Sequence, residues 1–431
     1  MRGERAVWTT TREAPVGDLA ERVASGGPAR WLWLALTWAA PLIFLVWAVR
    51  LVVIESYLNE LPKGFSGDFN SAVTGAGLGA DEWWSGNGLF YGPLFVLEWL
   101  VILRPGYVSI VDVARLDYVL FGIAFVCTWL ALFDRWRPRL LLVVLGLWLG
   151  NYVTVAVFAT AQHLEVLELM FLAVALLLLA RAHAGAAGVS VGLAIATKTL
   201  PIVFLPYLAI LRRWRTFWLA AAVAAALFLL TCLVQHVTPW DGALMLLNQG
   251  TNLEKTKSTP YELGLRAFFI RLLTKGAGAP SPQQTLIAFS LHAVIATLTV
   301  VGVALLVRRA APDSRSLSLV WGLLSATMLV VAPVTHVFYF VFLLPGWTAA
   351  VADLVDRPLR RTSVAQWLVL AASYVFTGFD QPFVLTQRLF GLGQAVLDHW
   401  LDLLPLGLLL TIAVQASLLY RSGSRSRSAT R

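Results

Sequence analysis

The chain has 431 residues, of which 58% are hydrophobic and only 13% charged. A soluble globular protein carries about 25% charged residues, so this composition excludes one and points to an integral membrane protein. The net charge of +9 rests on 33 basic residues, nearly all arginine. They lie in short loops and at the two ends rather than in one patch, which excludes a nucleic-acid footprint.

Residues 1–30 mix arginine with acids, glycine and proline. They lack the apolar core and small-residue cleavage site of a signal peptide, so a cytoplasmic tail is expected. Crossing about 30 Å of hydrocarbon takes roughly 20 apolar residues. Such runs fall near 31–54, 116–133, 140–160, 162–181, 216–235, 286–307, 316–333, 336–352, 363–379 and 402–420. The stretch 185–211 is too long for one span and is broken by glycine, Lys198 and Pro201. Two shorter helices meeting at Lys198, entering and leaving on one side, fit it better. The stretch 89–103, with its aromatics, Pro93 and Glu98, suits an interfacial helix.

With that choice the arginine-bearing loops 134–139, 212–215, 308–315 and 357–361, Arg181 and both termini fall on one side. That side is expected to be cytoplasmic. The expected organisation is a tail over 1–30, one all-α membrane domain over 31–420 with a long outer loop at 55–115, and a basic tail over 421–431. About 11–12 membrane helices are expected. Cys127 and Cys232 both fall within spans and read as buried structural thiols.

The unusual polar residues gather on the other side. "KGFSGDFNSA" holds Asp68, which is either a general base or a turn former. Asp81 and Glu82 in "GADEWW" carry the same two readings. "ATAQHLEVLEL" (159–169) brings Gln162, His163, Glu165 and Glu168 to the start of a span. Glu165 and Glu168 share a helix face, and acids there also suit the helix dipole. His336 follows Pro333 at an outward turn, as a satisfied polar group or as an anion or proton site. The polar stretch 248–269, with Gln249, reads as a solvated loop.

Lys198 is the one charged residue between Arg181 and Arg212. An ammonium in a membrane segment is costly and implies a partner. That partner is either a substrate anion or Glu165 or Glu168. The sequence has no GxxxxGK[ST] loop, no GxSxG elbow, no dinucleotide fingerprint and no metal-spaced His/Cys cluster.

Five segments in this order resemble glycosyltransferase family 87, membrane mannosyl- and arabinosyltransferases of the GT-C superfamily. They are the Asp68–Phe69 pair, "FYGPLFVL" (90–97), the span opening at Gln162, "GVSVGLAIATKTLPIVFLPYLAILRRWR" (188–215) and "APVTHVFYFVFLLP" (332–345). Ala161 and Leu164 stand where the family pattern has Gly and Asn.

The resemblance implies a GT-C-like helical bundle in a bacterial plasma membrane, with its long outer loop carrying interfacial helices. It implies transfer of mannose or arabinofuranose from a polyprenyl phosphate to a glycolipid or glycan hydroxyl at the outer face, inverting and free of cofactor or metal. Asp68 and His336 are then the catalytic candidates, with Asp81 the rival base. Lys198, Gln162 and His163 are the candidates for the donor phosphate, and Tyr91, Glu165 and Gln249 for further substrate contacts. A transporter or flippase for a lipid-linked or small solute is the competing expectation.

Overall fold

A computed structural model describes residues 110–133, 137–159, 163–234, 236–244, 264–274, 280–310, 313–333, 335–357, 361–378 and 403–429. Among the described residues the regular structure is entirely helical. Helix α1 (Ile110–Leu132) is followed by α2 (Pro138–Leu149), α3 (Tyr152–Ala159) and α4 (His163–Ala180). Next come α5 (Ala184–Thr197), a 3-10 turn (Leu200–Val203), α6 (Phe204–Ile210) and α7 (Trp214–Val234). The order continues with α8 (Leu265–Thr274), α9 (Pro282–Val307) and α10 (Ser314–Val331). A 3-10 stretch (Val337–Leu343), α11 (Leu344–Val355), α12 (Arg361–Gly378) and α13 (Leu403–Ala429) close the series. Among the described residues, six stretches are each long and apolar enough to cross a membrane: 115–132, 163–180, 214–234, 282–307, 338–355 and 403–421. The chain is a multi-pass membrane protein.

Two ends of the bundle are chemically distinct. α1 and α4 pack in parallel, with Arg181 donating to Leu130 O at one end and Asp117 meeting His163 at the other. The Arg181 end also gathers an ion-pair network. Asp356 takes Arg137 at 3.1 Å and also Arg315, while Asp353 takes Arg357, with Arg315 4.0 Å away.

The segment after Arg181 is a re-entrant hairpin. Thr216, at the start of α7, donates to Ala184 O at 3.0 Å, so the excursion returns to the level where it began. Gly188 and Gly192 line the α5 face against α7. A Cβ on Gly188 would lie 2.7 Å from Thr216 O, and one on Gly192 would lie 2.7 Å from Val223 Cβ. This close seam is what small residues four apart permit in a membrane. Pro201 ends α5: its missing N–H would have bonded Thr197 O, and its ring would clash there. Lys198 accordingly leaves the helix in extended geometry, with φ −147° and ψ 141°.

Helix rise sets the depth of the tip. The 14 residues of α5 advance about 21 Å, roughly two-thirds of a bilayer core. Glu165 stands 15 residues before Ala180 on α4, about 22 Å from the same end, so it meets Lys198 at one level.

The 140–160 run divides into α2 and α3 instead of forming one helix. Asn151 sits buried at the joint and its side-chain oxygen accepts from Val153 N at 2.8 Å. The 3-10 stretch 337–343 packs against α3, α4 and α10, and its residues 339–343 are buried. Trp148 Nε1 donates to Thr348 Oγ1 at 2.8 Å and the Tyr374 hydroxyl to Leu147 O at 2.9 Å, which ties α2 to α11 and α12. α8 is a short helix that begins inside the 248–269 stretch, expected to be a solvated loop, and it packs on α9.

Candidate active site opposite the arginine-rich end

Lys198 is 3% exposed at the hairpin tip and ion-pairs with Glu165 of α4. Its Nζ also lies 4.2 Å from the Tyr339 ring centroid and 6.0 Å from that of Phe338. A desolvated ammonium over an aromatic face gains about 2 kcal/mol. A carboxylate and an aromatic wall together account for a charge held at this depth.

Glu168 stands one turn further along α4, fully buried, and neither carboxyl oxygen has a hydrogen-bond partner among the described residues. Both Lys198 and Glu165 act on it electrostatically. One lysine thus acts on two carboxyls of the same helix and is ion-paired with the first.

His163 opens α4, and its Nδ1 lies 2.5 Å from Asp117 Oδ1, both side chains buried. Asp117 comes from α1, a turn or two inside its start. A carboxylate on one ring nitrogen fixes the plane of the imidazole and the direction of the other. The pair sits half a turn from Glu165 on the same helix.

His336 precedes the 3-10 stretch with φ −96° and ψ 162° and is half-buried. Its ring stacks on Phe338 at 5.1 Å and meets Tyr339 edge-on at 5.6 Å. A continuous path of contacts thus runs from His336 through two aromatics to Lys198 and Glu165. On its other side, Gly264 abuts Thr335: a Cβ there would lie 3.4 Å from Thr335 Oγ1 and 3.5 Å from its backbone N. Arg266, 3% exposed, follows in the first turn of α8.

Of the residues singled out in the sequence, His163, Glu165, Lys198 and His336 come together at this end. Asp68, Asp81, Tyr91, Gln162 and Gln249 lie outside the described residues. Of the partners open for Lys198, a substrate anion, Glu165 or Glu168, the structure shows Glu165. Asp117 and Tyr339 join the cluster without having been picked out. Asp117 carried a signal, as a lone acid inside an apolar run, whereas Tyr339 is one aromatic in "HVFYF" and carried none.

Chemically, the cluster offers a point cation, imidazoles, carboxyls able to accept hydroxyl protons, and aromatic faces. Residues 90–333, more than half of the chain, match the sequence profile described as glycosyltransferase family 87. Among solved structures, ArnT from Cupriavidus metallidurans bound to undecaprenyl phosphate is similar at 15% identity, over 90% of this chain and 78% of that one, with a TM-score of 0.40. No curated protein matches.

Proposed function

The chain belongs to glycosyltransferase family 87, a membrane glycosyltransferase, and from that premise we propose that it moves a mannosyl or arabinofuranosyl residue from a polyprenyl phosphate to a hydroxyl of a glycolipid or cell-envelope glycan. The site faces the outside of a bacterial plasma membrane, with both termini cytoplasmic. The arginine-rich loops at the opposite end of the bundle support that orientation.

The observation that carries the reading is the convergence of His163, Glu165, Lys198 and His336 from three separate elements at one end. In the reaction, the acceptor oxygen attacks the anomeric carbon from the face opposite the phosphate. The bond from that carbon to the phosphate oxygen breaks, its electrons leave with the phosphate, and the acceptor proton passes to a carboxylate. Asp68 is the assigned base and Asp81 its rival. Base catalysis of this kind contributes typically 10²–10⁴-fold. The configuration inverts and no metal is required.

Lys198 has three N–H donors. Glu165 takes one, and another is assigned to the donor phosphate, with Gln162 and His163 beside it. His336 donates toward the leaving phosphate oxygen, while Tyr91, Glu165 and Gln249 are assigned to sugar and acceptor. The test is a membrane preparation given polyprenyl phosphate bearing labelled mannose or arabinofuranose. Label in a new glycosidic product supports transfer. Movement of label across the membrane with no new bond would support a flippase instead.

A further inference from the structure

We infer that the base of the re-entrant hairpin holds the phosphate of an anionic phospholipid, gripped by Arg212 and Arg215 beside two exposed tryptophans. The reason begins with charge. At the arginine-rich end, Arg137, Arg315 and Arg357 are met by Asp353 and Asp356. Arg212 and Arg215 are exposed, and among the described residues neither side chain forms a hydrogen bond or an ion pair. The backbone adds a second sign. α6 closes on a Schellman turn, in which Arg212 N donates to Ala209 O at 2.9 Å and Arg213 N to Leu208 O at 2.8 Å. That turn puts Arg212 at φ 56°, where glycine is free of strain and an arginine is not. An arginine at a position suited to glycine costs stability, which its side chain offsets by binding outside the protein.

Arg215 and its aromatic neighbours give the site its shape. The Arg215 guanidinium lies against Gly185 of α5: a Cβ on Gly185 would be 3.5 Å from both Nε and Nη2. The charge therefore sits across the seam between α5 and α7, at the level where Thr216 bonds Ala184 O. Trp214 and Trp218, one turn apart on α7, are both exposed. Phe217 meets them edge-on, with ring centroids 6.0 and 4.9 Å away. Indole rings at the end of a span take the headgroup level, which sets the two arginines at the depth of lipid phosphates. A guanidinium grips two phosphate oxygens at once, and negative headgroups draw basic residues at this depth. A zwitterionic lipid offers the same phosphate with its charge already cancelled, so the anionic class is favoured. A lipid held here clasps α5 to α7 at the opposite end of the hairpin from Lys198.

The test counts lipids retained by the purified full-length protein, read by native mass spectrometry after exchange with an equal mixture of phosphatidylglycerol and phosphatidylcholine. The unaltered protein should retain phosphatidylglycerol in preference. Arg212→Gln combined with Arg215→Gln should reduce that preference roughly tenfold or more. Arg308→Gln combined with Arg309→Gln removes the same charge from the same end and should leave it unchanged. Arg212→Gly relieves the backbone as it removes the charge. It should melt no lower than the unaltered protein in phosphatidylcholine and still lose part of the preference. No preference in the unaltered protein, or one unchanged in the Arg212 and Arg215 pair, overturns the inference. An equal loss in both pairs does so too, since it marks diffuse attraction to the surface. Displacement of the lipid by inorganic phosphate would also overturn it, because a free-anion site needs no bilayer.

Discussion

The Lys198 ammonium lies 4.2 Å from the centre of the Tyr339 ring, which joins the tip of the re-entrant hairpin to the turn that carries His336. This single contact links two segments separated in the chain by the whole of α7–α10, and it makes the aromatic wall part of the site.

Separating the two halves of that contact gives the first prediction. Tyr339→Phe keeps the ring and removes the hydroxyl, so sugar transfer should stay within a few-fold of normal. Tyr339→Leu removes both, and loss of about 1–2 kcal/mol of cation–π attraction should lower transfer roughly tenfold or more. Initial rates on the two variants decide it; equal activity would detach Tyr339 from the site.

Asp117 and His163 make a second test. Asp117→Asn keeps the volume but replaces a charge-assisted hydrogen bond with one roughly half as strong, so the imidazole is no longer held in one orientation. Transfer should fall by about tenfold, with a stability loss of about 1–3 kcal/mol at most. Thermal melting and transfer rates on one preparation compare the two effects. A large drop in melting with normal specific activity would make the pair purely structural.

The hairpin seam is tested by two glycines of opposite setting. A Cβ on Gly192 would lie 2.7 Å from Val223 Cβ and 2.8 Å from Ala220 O, whereas one on Gly302 meets nothing within 4 Å. Gly192→Ala should cost about 1–3 kcal/mol through overpacking. Gly302→Ala should be neutral or gain up to about 1 kcal/mol of helix propensity. Melting in detergent reads both; a neutral Gly192→Ala would mean that α5 does not pack on α7 this closely.

How far the sequence revealed this arrangement differs by residue. The break at Lys198 was legible because Pro201 and an isolated charge act locally, within one turn of chain. The joint at Asn151 was not, since its 140–160 surroundings are uniformly apolar and one buried amide barely changes that pattern. α8 begins inside the polar 248–269 stretch that reads as a solvated loop, and ten residues that include Arg266 and Arg271 are too short and too charged to signal a span. The Asp117–His163 and Lys198–Tyr339 contacts depend on which helices become neighbours. Hydropathy says nothing of that, because in lipid every apolar face looks alike to the sequence.

The proposed sidedness is tested at two exposed residues. Trp240, 71% exposed, lies beyond α7 at the end opposite the arginines, and Arg309 is exposed at the arginine-rich end. In intact cells a membrane-impermeant thiol reagent should label Trp240→Cys and leave Arg309→Cys untouched until the membrane is opened. The native cysteines, one buried and one half-buried, should give little background. Reversed labelling would place the site on the cytoplasmic face.

The central claim, that the lysine at the hairpin tip serves sugar transfer and not folding alone, is tested most directly by a double-mutant cycle on Lys198 and Glu165. Lys198→Met strands the buried Glu165 carboxylate, which is destabilising, and pairing it with Glu165→Gln removes the stranded charge. Transfer from a labelled polyprenyl-phosphate sugar and thermal melting are measured for both single variants and the double. The expected result is that the double variant regains stability while transfer stays at least about tenfold down. Recovery of both stability and transfer in the double variant would contradict the account and leave the pair as a structural salt bridge.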